Sequence, residues 1–349
     1  LAVVSALEKR ADVLWVGSEG GMERSLVTRA GFEFEGIPAA GLHGVGLGAL
    51  PGNLVQLARG VRAARRILRR FQPQVLFFTG GFVGVPVALA GWGRPSVLYV
   101  PDLEPALAAR LIGRGADVLA VSAEIARRYY QPGSRALVTG YPTRPELTAI
   151  DKREAQVQLG LDPDVPVVLV FGGSRGARSI NRALWSCLPE LLEKAQVIHI
   201  TGELDWDQVE PHQASLTGGQ QAAYRVHAYL HDEMPLALRA ADLVVSRAGA
   251  ATLGEYPALQ LPAILVPYPH AWRYQKVNAE YLVAHGAALA LEDAGLAETL
   301  FPTIAALLES PERLAAMGAA AGRLAQTGAA RKIAAQIERL GHTETSAHA

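Results

Sequence analysis

Short apolar runs alternate with longer amphipathic stretches along most of the chain. The runs are Val13 to Val16, Val75 to Phe78, Val97 to Val100, Val118 to Val121, Val167 to Phe171, Val197 to Ile200, Leu243 to Val245 and Ile264 to Val266. Continuous apolar runs of four or five residues fit strands buried on both faces, and the amphipathic stretches between them fit crossover helices, so the pattern predicts βαβα units with mostly parallel sheets. Glycine-rich turns follow two of the runs in the same way, TGGFVG at Thr79 to Gly84 and FGGSRGA at Phe171 to Ala177. Two such turns in 349 residues predict two doubly wound α/β domains.

Pro142, Pro145, Pro163 and Pro166 interrupt the rhythm and place the break between domains. The expected organisation is an N-terminal Rossmann-like domain over 1–145, a linker over 146–165, a second domain over 166–325, and a C-terminal helix with tail over 326–349. Further helices are expected over Leu1 to Arg10, Asn53 to Arg70, Ser179 to Leu192 and Pro311 to Leu340, with the last nine residues frayed. An α/β domain of this kind ordinarily opens on a strand and a glycine turn, so part of the first domain is expected upstream of Leu1.

Composition narrows the picture. Lysine plus arginine equals aspartate plus glutamate at 33 each, which argues against a nucleic-acid binder held by net charge. The balance is local rather than uniform. From Gly36 to Pro101 there is no acidic residue, while Arg59, Arg62, Arg65, Arg66, Arg69, Arg70 and Arg94 all fall inside, and such a block favours an anionic partner. The single cysteine, Cys187, reads as a core residue, and without a Cys/His cluster of zinc spacing no structural metal is called for. Glu8, Lys9 and Arg10 argue against a secretory signal. The uncharged stretch Phe71 to Gly93 is long enough to span a bilayer, but Gly80, Gly81, Gly84 and Pro86 break its middle, so strand, turn and helix is the better reading.

The chemistry concentrates in RAGAATLGE (Arg247 to Glu255) and PYPHAWRYQKVNA (Pro267 to Ala279). Gly249 to Thr252 should lie where a strand hands over to a helix, with free backbone N–H groups that suit an anion. Thr252 adds a hydroxyl, and Glu255, one turn on, supplies a carboxylate suited to two ribose hydroxyls. The same Thr252-x-x-Glu255 spacing also fits a capping box that needs no ligand. In FGGSRGA, Gly172 and Gly173 permit close backbone approach and Ser174 adds a donor, or the segment is a plain turn. Neither loop has the lysine of a P-loop, so ATP hydrolysis of that kind is not expected. Gln275 and Asn278, three apart, can face one way toward sugar hydroxyls, or mark a solvated helix start. The basic helix Asn53 to Arg70, beside the glycine-rich AAGLHGVGLGALPG (Ala39 to Gly52), either wets its arginines or docks on an anionic membrane face.

Taken in order, AAGLHGVG, TGGFVGVP, TGYPTR (Thr139 to Arg144), FGGSRGAR, RAGAATLGE and PYPHAWRYQKVNA resemble the MurG family of glycosyltransferases over essentially the whole chain. The resemblance implies a GT-B fold, two Rossmann-like domains with a cleft between them. It also implies transfer of N-acetylglucosamine from UDP-N-acetylglucosamine to a muramyl-pentapeptide on undecaprenyl pyrophosphate, with inversion, by a peripheral enzyme at the cytoplasmic face of the membrane. By position, Glu255 would bind the ribose. Ala250, Ala251 and Thr252 with Ser174 would hold the diphosphate beside Gly173, Leu253 and Gly254, and Arg144 would add a charged contact. Gln275 and Asn278 would meet the sugar, and Leu230 or His231 would offer backbone to the uracil.

Three departures from the family pattern concern the acceptor side. The family opens on a loop GGTGGH whose histidine is the favoured base, and Leu1 aligns just beyond it, so no catalytic base is assigned. The family's HEQN is YVPDLEP (Tyr99 to Pro105) here, which makes Asp102 and Glu104 the carboxylates of that segment, with Asp102 the acceptor-side candidate. A tyrosine of the second glycine loop is Phe82. These departures keep open a transferase with another lipid acceptor, a UDP-N-acetylglucosamine epimerase on the same fold, or a donor-binding subunit. No cofactor or metal is called for.

Overall fold

The computed structural model describes residues 1–7, 11–21, 23–39, 50–130, 136–173, 176–270 and 273–347. Ser174, the centre of AAGLHGVGLGALPG, and Ala271 and Trp272 of PYPHAWRYQKVNA lie outside the described residues. The chain divides into two compact units, Leu1–Pro142 with Gly328–Ala349, and Thr143–Thr327.

The first unit contains a two-stranded parallel sheet, β1 (Leu14–Ser18) with β2 (Glu33–Ile37), and a four-stranded parallel sheet in the order β3-β4-β5-β6. The latter strands are Leu76–Phe78, Ser96–Val100, Val118–Val121 and Ala136–Val138. Both central strands are buried at every position, which is why they read as unbroken apolar runs. One face packs Leu98, Val100 and Leu119 against Ala64, Ile67 and Leu68 of the helix Leu50–Phe71. The other face packs Val97, Tyr99, Val118 and Ala120 against Val3, Ile333 and Ala334. The latter two belong to the helix Ala329–Ala347, so the end of the chain completes the first unit, and Arg331 fixes it by donating to the Ala6 carbonyl at 3.0 Å.

The second unit is a six-stranded parallel sheet in the order β12-β11-β10-β7-β8-β9. Its strands are β7 Val167–Phe171, β8 Gln196–Ile200, β9 Tyr224–His227, β10 Leu243–Ser246, β11 Ala263–Leu265 and β12 Ala288–Ala290. The chain lays β8 and β9 outward from one side of β7, then returns to lay β10 on the other side. This doubly wound order opens a crevice between the carboxyl ends of β7 and β10. On one face Val168, Val170, Leu243 and Val245 pack against Ile180, Ala183 and Leu184 and against Leu300, Ile304 and Leu307. The spacing of the last three puts them on one stripe of the helix Leu296–Leu308.

Several elements differ from the periodicity. The expected helix Ser179 to Leu192 is two helices, Arg178–Trp185 and Leu188–Leu192, because Pro189 can occupy only the first turn of a new helix. The Pro311 to Leu340 stretch divides into Pro311–Arg323 and Ala329–Ala347, with Gly328 between them at φ +70°. The described helical part of Leu1 to Arg10 is Ala2–Ser5, and the last helix continues to Ala347 where fraying was expected. Residues 146–165, expected as a linker, carry the helix Lys152–Gln158, which is packed into the second unit: Gln156 donates to the Ala240 carbonyl at 3.1 Å, and Lys152 pairs with Asp242.

Ile304 is fully buried between the helix Arg178–Trp185 and the sheet. Ile304→Val should therefore lower the unfolding free energy by about 1 kcal/mol in urea titration. No change would show that this helix does not pack there.

Candidate functional site

The carboxyl ends of β7 and β10 present two glycine turns side by side. After β7, Gly172 closes the turn: a Cβ there would sit 2.2 Å from the Ala177 nitrogen. Gly173 has φ +89°, and a Cβ on it would meet no atom of the described residues within 4 Å. Gly176, at φ +76°, lies so close to the end of β8 that a Cβ would be 2.2 Å from the Thr201 carbonyl oxygen. Tight turn, open backbone and close packing are the three uses of glycine in a nucleotide-binding strand exit.

A buried polar chain holds the end of β8 beneath this turn. Asn181 donates to the Thr201 carbonyl at 2.9 Å and to Asp205 at 3.0 Å, while its side-chain oxygen lies 3.0 Å from His199 Nε2. His199 Nδ1 then accepts from Tyr224 at 2.7 Å. Burial lowers the His199 pKa to about 3, so the ring is neutral and supplies one donor and one acceptor to the chain.

After β10 the expected helix N-terminus is a 3-10 turn, Ala250–Leu253, followed by a short helix, Glu255–Leu259, because Gly254 and Pro257 do not continue a single α-helix. Within the turn the Thr252 amide donates to the Gly249 carbonyl at 3.0 Å, which leaves the Ala250 and Ala251 amides without an acceptor inside it. The Thr252 hydroxyl also goes to the Gly249 carbonyl, at 2.8 Å, and the residue is buried. Thr252 therefore locks the turn, and the capping box allowed by its spacing from Glu255 does not form. Gly249 resembles Gly173 in that a Cβ would meet no atom of the described residues within 4 Å. Leu253 is buried beneath the turn.

Glu255 is half-buried at the start of its helix. Desolvation raises its pKa, and the nearby Arg144 guanidinium partly offsets that rise. Arg144 itself is exposed, just before the 3-10 turn Pro145–Thr148. The two charges expected at a nucleotide diphosphate are thus within electrostatic reach of one another.

Gln275 accepts from the Tyr268 amide at 2.9 Å through its side-chain oxygen, which leaves its NH₂ group to donate outward. Asn278, expected at the sugar, is fully buried and donates to the Ala248 carbonyl at 3.1 Å, so it braces the loop after β10. Leu230 is buried just past β9, at the same carboxyl edge of the sheet, and His231 beside it is exposed. Asp102 lies in the first unit, half-buried beyond β4. Sequence reading missed the supporting residues Asn181, His199, Ser179 and Asp293, whose partners lie 18 residues away for Asn181 and His199 and 114 for Ser179 and Asp293, so they carry no short-range signal.

A family model described as the glycosyltransferase family 28 N-terminal domain matches residues 1–100, and one for the C-terminal domain of that family matches residues 167–337. A protein of Roseiflexus sp. (strain RS-1) is 41% identical, over 95% of this chain and 84% of the relative. One of Desulforudis audaxviator is 37% identical, over 97% of this chain and 94% of the relative. Both are named UDP-N-acetylglucosamine--N-acetylmuramyl-(pentapeptide) pyrophosphoryl-undecaprenol N-acetylglucosamine transferase. The chain belongs to glycosyltransferase family 28, in its MurG branch. The crystal structure of Acinetobacter baumannii MurG superposes with TM-score 0.72 at 22% identity, covering 97% of this chain and 94% of that one. A UDP-GlcNAc 2-epimerase of Neisseria meningitidis, bound to UDP-GlcNAc, reaches TM-score 0.67 at 13% identity, covering 97% and 95%. Such distant likeness speaks for the GT-B fold that family 28 shares with the epimerases.

Glu255 generates a prediction about stability. A carboxyl whose folded pKa lies above its unfolded value favours folding at low pH, and that contribution is lost as pH rises through the folded pKa. The melting temperature of the wild type should fall relative to Glu255→Gln as pH climbs above 4.5, the ordinary carboxyl value. Parallel profiles for the two proteins would contradict the desolvated carboxylate.

Proposed function

We propose that this chain transfers N-acetylglucosamine from UDP-N-acetylglucosamine to a muramyl-pentapeptide carried on undecaprenyl pyrophosphate, joining the second sugar of the lipid-linked peptidoglycan precursor. The observation that carries the donor half is the pair of open glycines, Gly173 and Gly249, at adjacent strand exits with Glu255 one turn beyond. Free amides of Ala250 and Ala251 suit a phosphate, the Glu255 carboxylate suits the two ribose hydroxyls, and Arg144 suits the remaining negative charge. The Gln275 NH₂ group suits a sugar hydroxyl, and backbone at Leu230 suits the uracil edge. Ser174 is a further donor for the diphosphate by position.

In the reaction a base takes the proton of the acceptor hydroxyl, and that oxygen bonds to the anomeric carbon as the bond to the β-phosphate oxygen breaks. UDP leaves with the electron pair, so the charge that grows on its phosphates falls on the strand-exit amides and Arg144. Asp102 stands as the acceptor-side residue of YVPDLEP. The transferase reading is preferred over an epimerase because the relatives above 30% identity carry transferase names, whereas the epimerases share the fold at 16% identity or less.

The acceptor is lipid-linked, and among the described residues no helix is long and apolar enough to cross a membrane. On the helix Leu50–Phe71, Val55, Arg59, Arg62, Arg66 and Arg69 are exposed and follow one another at helical spacing, while Ala64, Ile67 and Leu68 are buried. Arg70 pairs with Glu35, which sets it apart from the stripe. We infer that this stripe rests on the anionic cytoplasmic face of the cell membrane.

Three measurements test these readings. Purified protein should release UDP from UDP-N-acetylglucosamine only when the lipid-linked muramyl acceptor is added, and release without acceptor would favour the epimerase. Gly249 has φ −67°, which alanine adopts freely, so Gly249→Ala should hold or slightly raise the melting temperature while its methyl intrudes on the diphosphate and weakens UDP binding. Undiminished affinity would place the diphosphate elsewhere. Replacing Arg62, Arg66 and Arg69 together by glutamine should weaken binding to vesicles containing anionic phospholipid by about a hundredfold, at about 1 kcal/mol for each arginine. Equal binding would remove the helix from the membrane account.

A further inference from the structure

Arg247, the first residue after β10, is only 10% exposed at its side chain although it carries a full charge. Strand alternation turns Val245 and Arg247 to the sheet face covered by the helices Arg178–Trp185 and Leu296–Leu308, and Ser246 to the opposite face. On the first face the Arg247 guanidinium donates to the Ser179 hydroxyl oxygen at 2.8 Å and to the Val266 carbonyl at 3.2 Å, and it forms an ion pair with Asp293. Ser179 closes the triangle by donating to Asp293 at 2.7 Å. The guanidinium carbon also lies 5.2 Å from the centre of the Tyr268 ring.

The opposite face answers this arrangement. Ser246 and the buried Tyr256 share a hydrogen bond of 2.7 Å, and Asn278 donates to the Ala248 carbonyl at 3.1 Å. Three consecutive residues are thus tied by side-chain bonds, alternately from the two faces of the sheet, immediately before Gly249 and the open amides of Ala250 and Ala251. Because Asp293 neutralises the guanidinium and Ser179 occupies it, Arg247 spends its charge on the scaffold.

We propose that Arg247 is a positioning residue for the donor diphosphate, held by Asp293 and Ser179 so that the turn after β10 presents its amides in one geometry. The proposal rests on the donor-site reading above. It assigns Asp293 and Ser179, which stand 46 and 68 residues from Arg247, to the function of a loop that neither belongs to. The clamp acts on the amides that face phosphate, whereas the ribose carboxylate Glu255 stands on the helix anchored separately through Tyr256 and Ser246. Loosening the clamp should therefore weaken recognition of the diphosphate without weakening recognition of the nucleoside.

Affinities of the full chain for UDP and for uridine, measured by ligand-observed NMR titration, separate this role from general stability. Asp293→Asn and Ser179→Ala should weaken UDP binding by about tenfold and Arg247→Met by more, with uridine changed by less than about twofold. Ile304→Val, which removes a core methylene from the same face, should change neither affinity. If the variants keep the wild-type ratio of UDP to uridine affinity, the positioning role is wrong. A gain of UDP affinity in Asp293→Asn would overturn it too, since it would mean that Asp293 restrains a direct phosphate ligand. Should Arg247→Met fail to fold, Ser179→Ala decides alone, because it removes one hydroxyl and keeps the ion pair. Loss of UDP binding in Glu255→Ala with an unchanged ratio in the clamp variants would reject the clamp and spare the donor site. A wild type that does not bind UDP would reject both.

Discussion

The second unit depends on one constraint: two neighbouring parallel strands, β7 and β10, must end side by side, Phe171 against Ser246. Parallel strands buried on both faces leave the carboxyl edge as the place where backbone donors can meet a ligand, and the reversal of winding between β7 and β10 is what opens it. The glycines follow from that geometry. Gly173 needs a positive φ, and at both Gly173 and Gly249 the described residues leave room where a side chain would otherwise stand.

Holding such an edge still requires polar groups in the interior. Asn181, His199, Tyr224 and Asp205 form a chain under the first turn, and Arg247, Ser179 and Asp293 brace the second. In these chains Asn181, Ser179 and both terminal nitrogens of Arg247 donate to acceptors, and such pairing lets polar burial stiffen a fold. Glu255 is placed otherwise. Its carboxylate is desolvated before any ligand arrives, so the position proposed for the two ribose hydroxyls is unfavourable for the charged group in the empty protein.

How far the sequence discloses this depends on the range of each interaction. Val118–Val121 and Val167–Phe171 are legible to the residue, since a central strand needs four or five consecutive apolar positions. The strands Glu33–Ile37 and Tyr224–His227 lie at sheet edges and are hidden by mixed composition, while Ala136–Val138 and Ala288–Ala290 are apolar edge strands too short to stand out. The motifs around Gly173 and Gly249 to Glu255 were readable because strand, turn and acid are neighbours in sequence. That the Asn278 amide donates to the Ala248 carbonyl is a contact across 30 residues that nothing local reveals. The return of the helix Ala329–Ala347 to the first unit is likewise a matter of tertiary packing, through Ile333 and Ala334, that no periodicity announces.

The most direct measurement is a crystal structure of the protein soaked with UDP. The account predicts the diphosphate against the backbone of Gly173 and of Ala250 and Ala251, with the ribose hydroxyls on Glu255. Nucleotide bound away from the carboxyl ends of β7 and β10, or a ribose out of reach of Glu255, would contradict it.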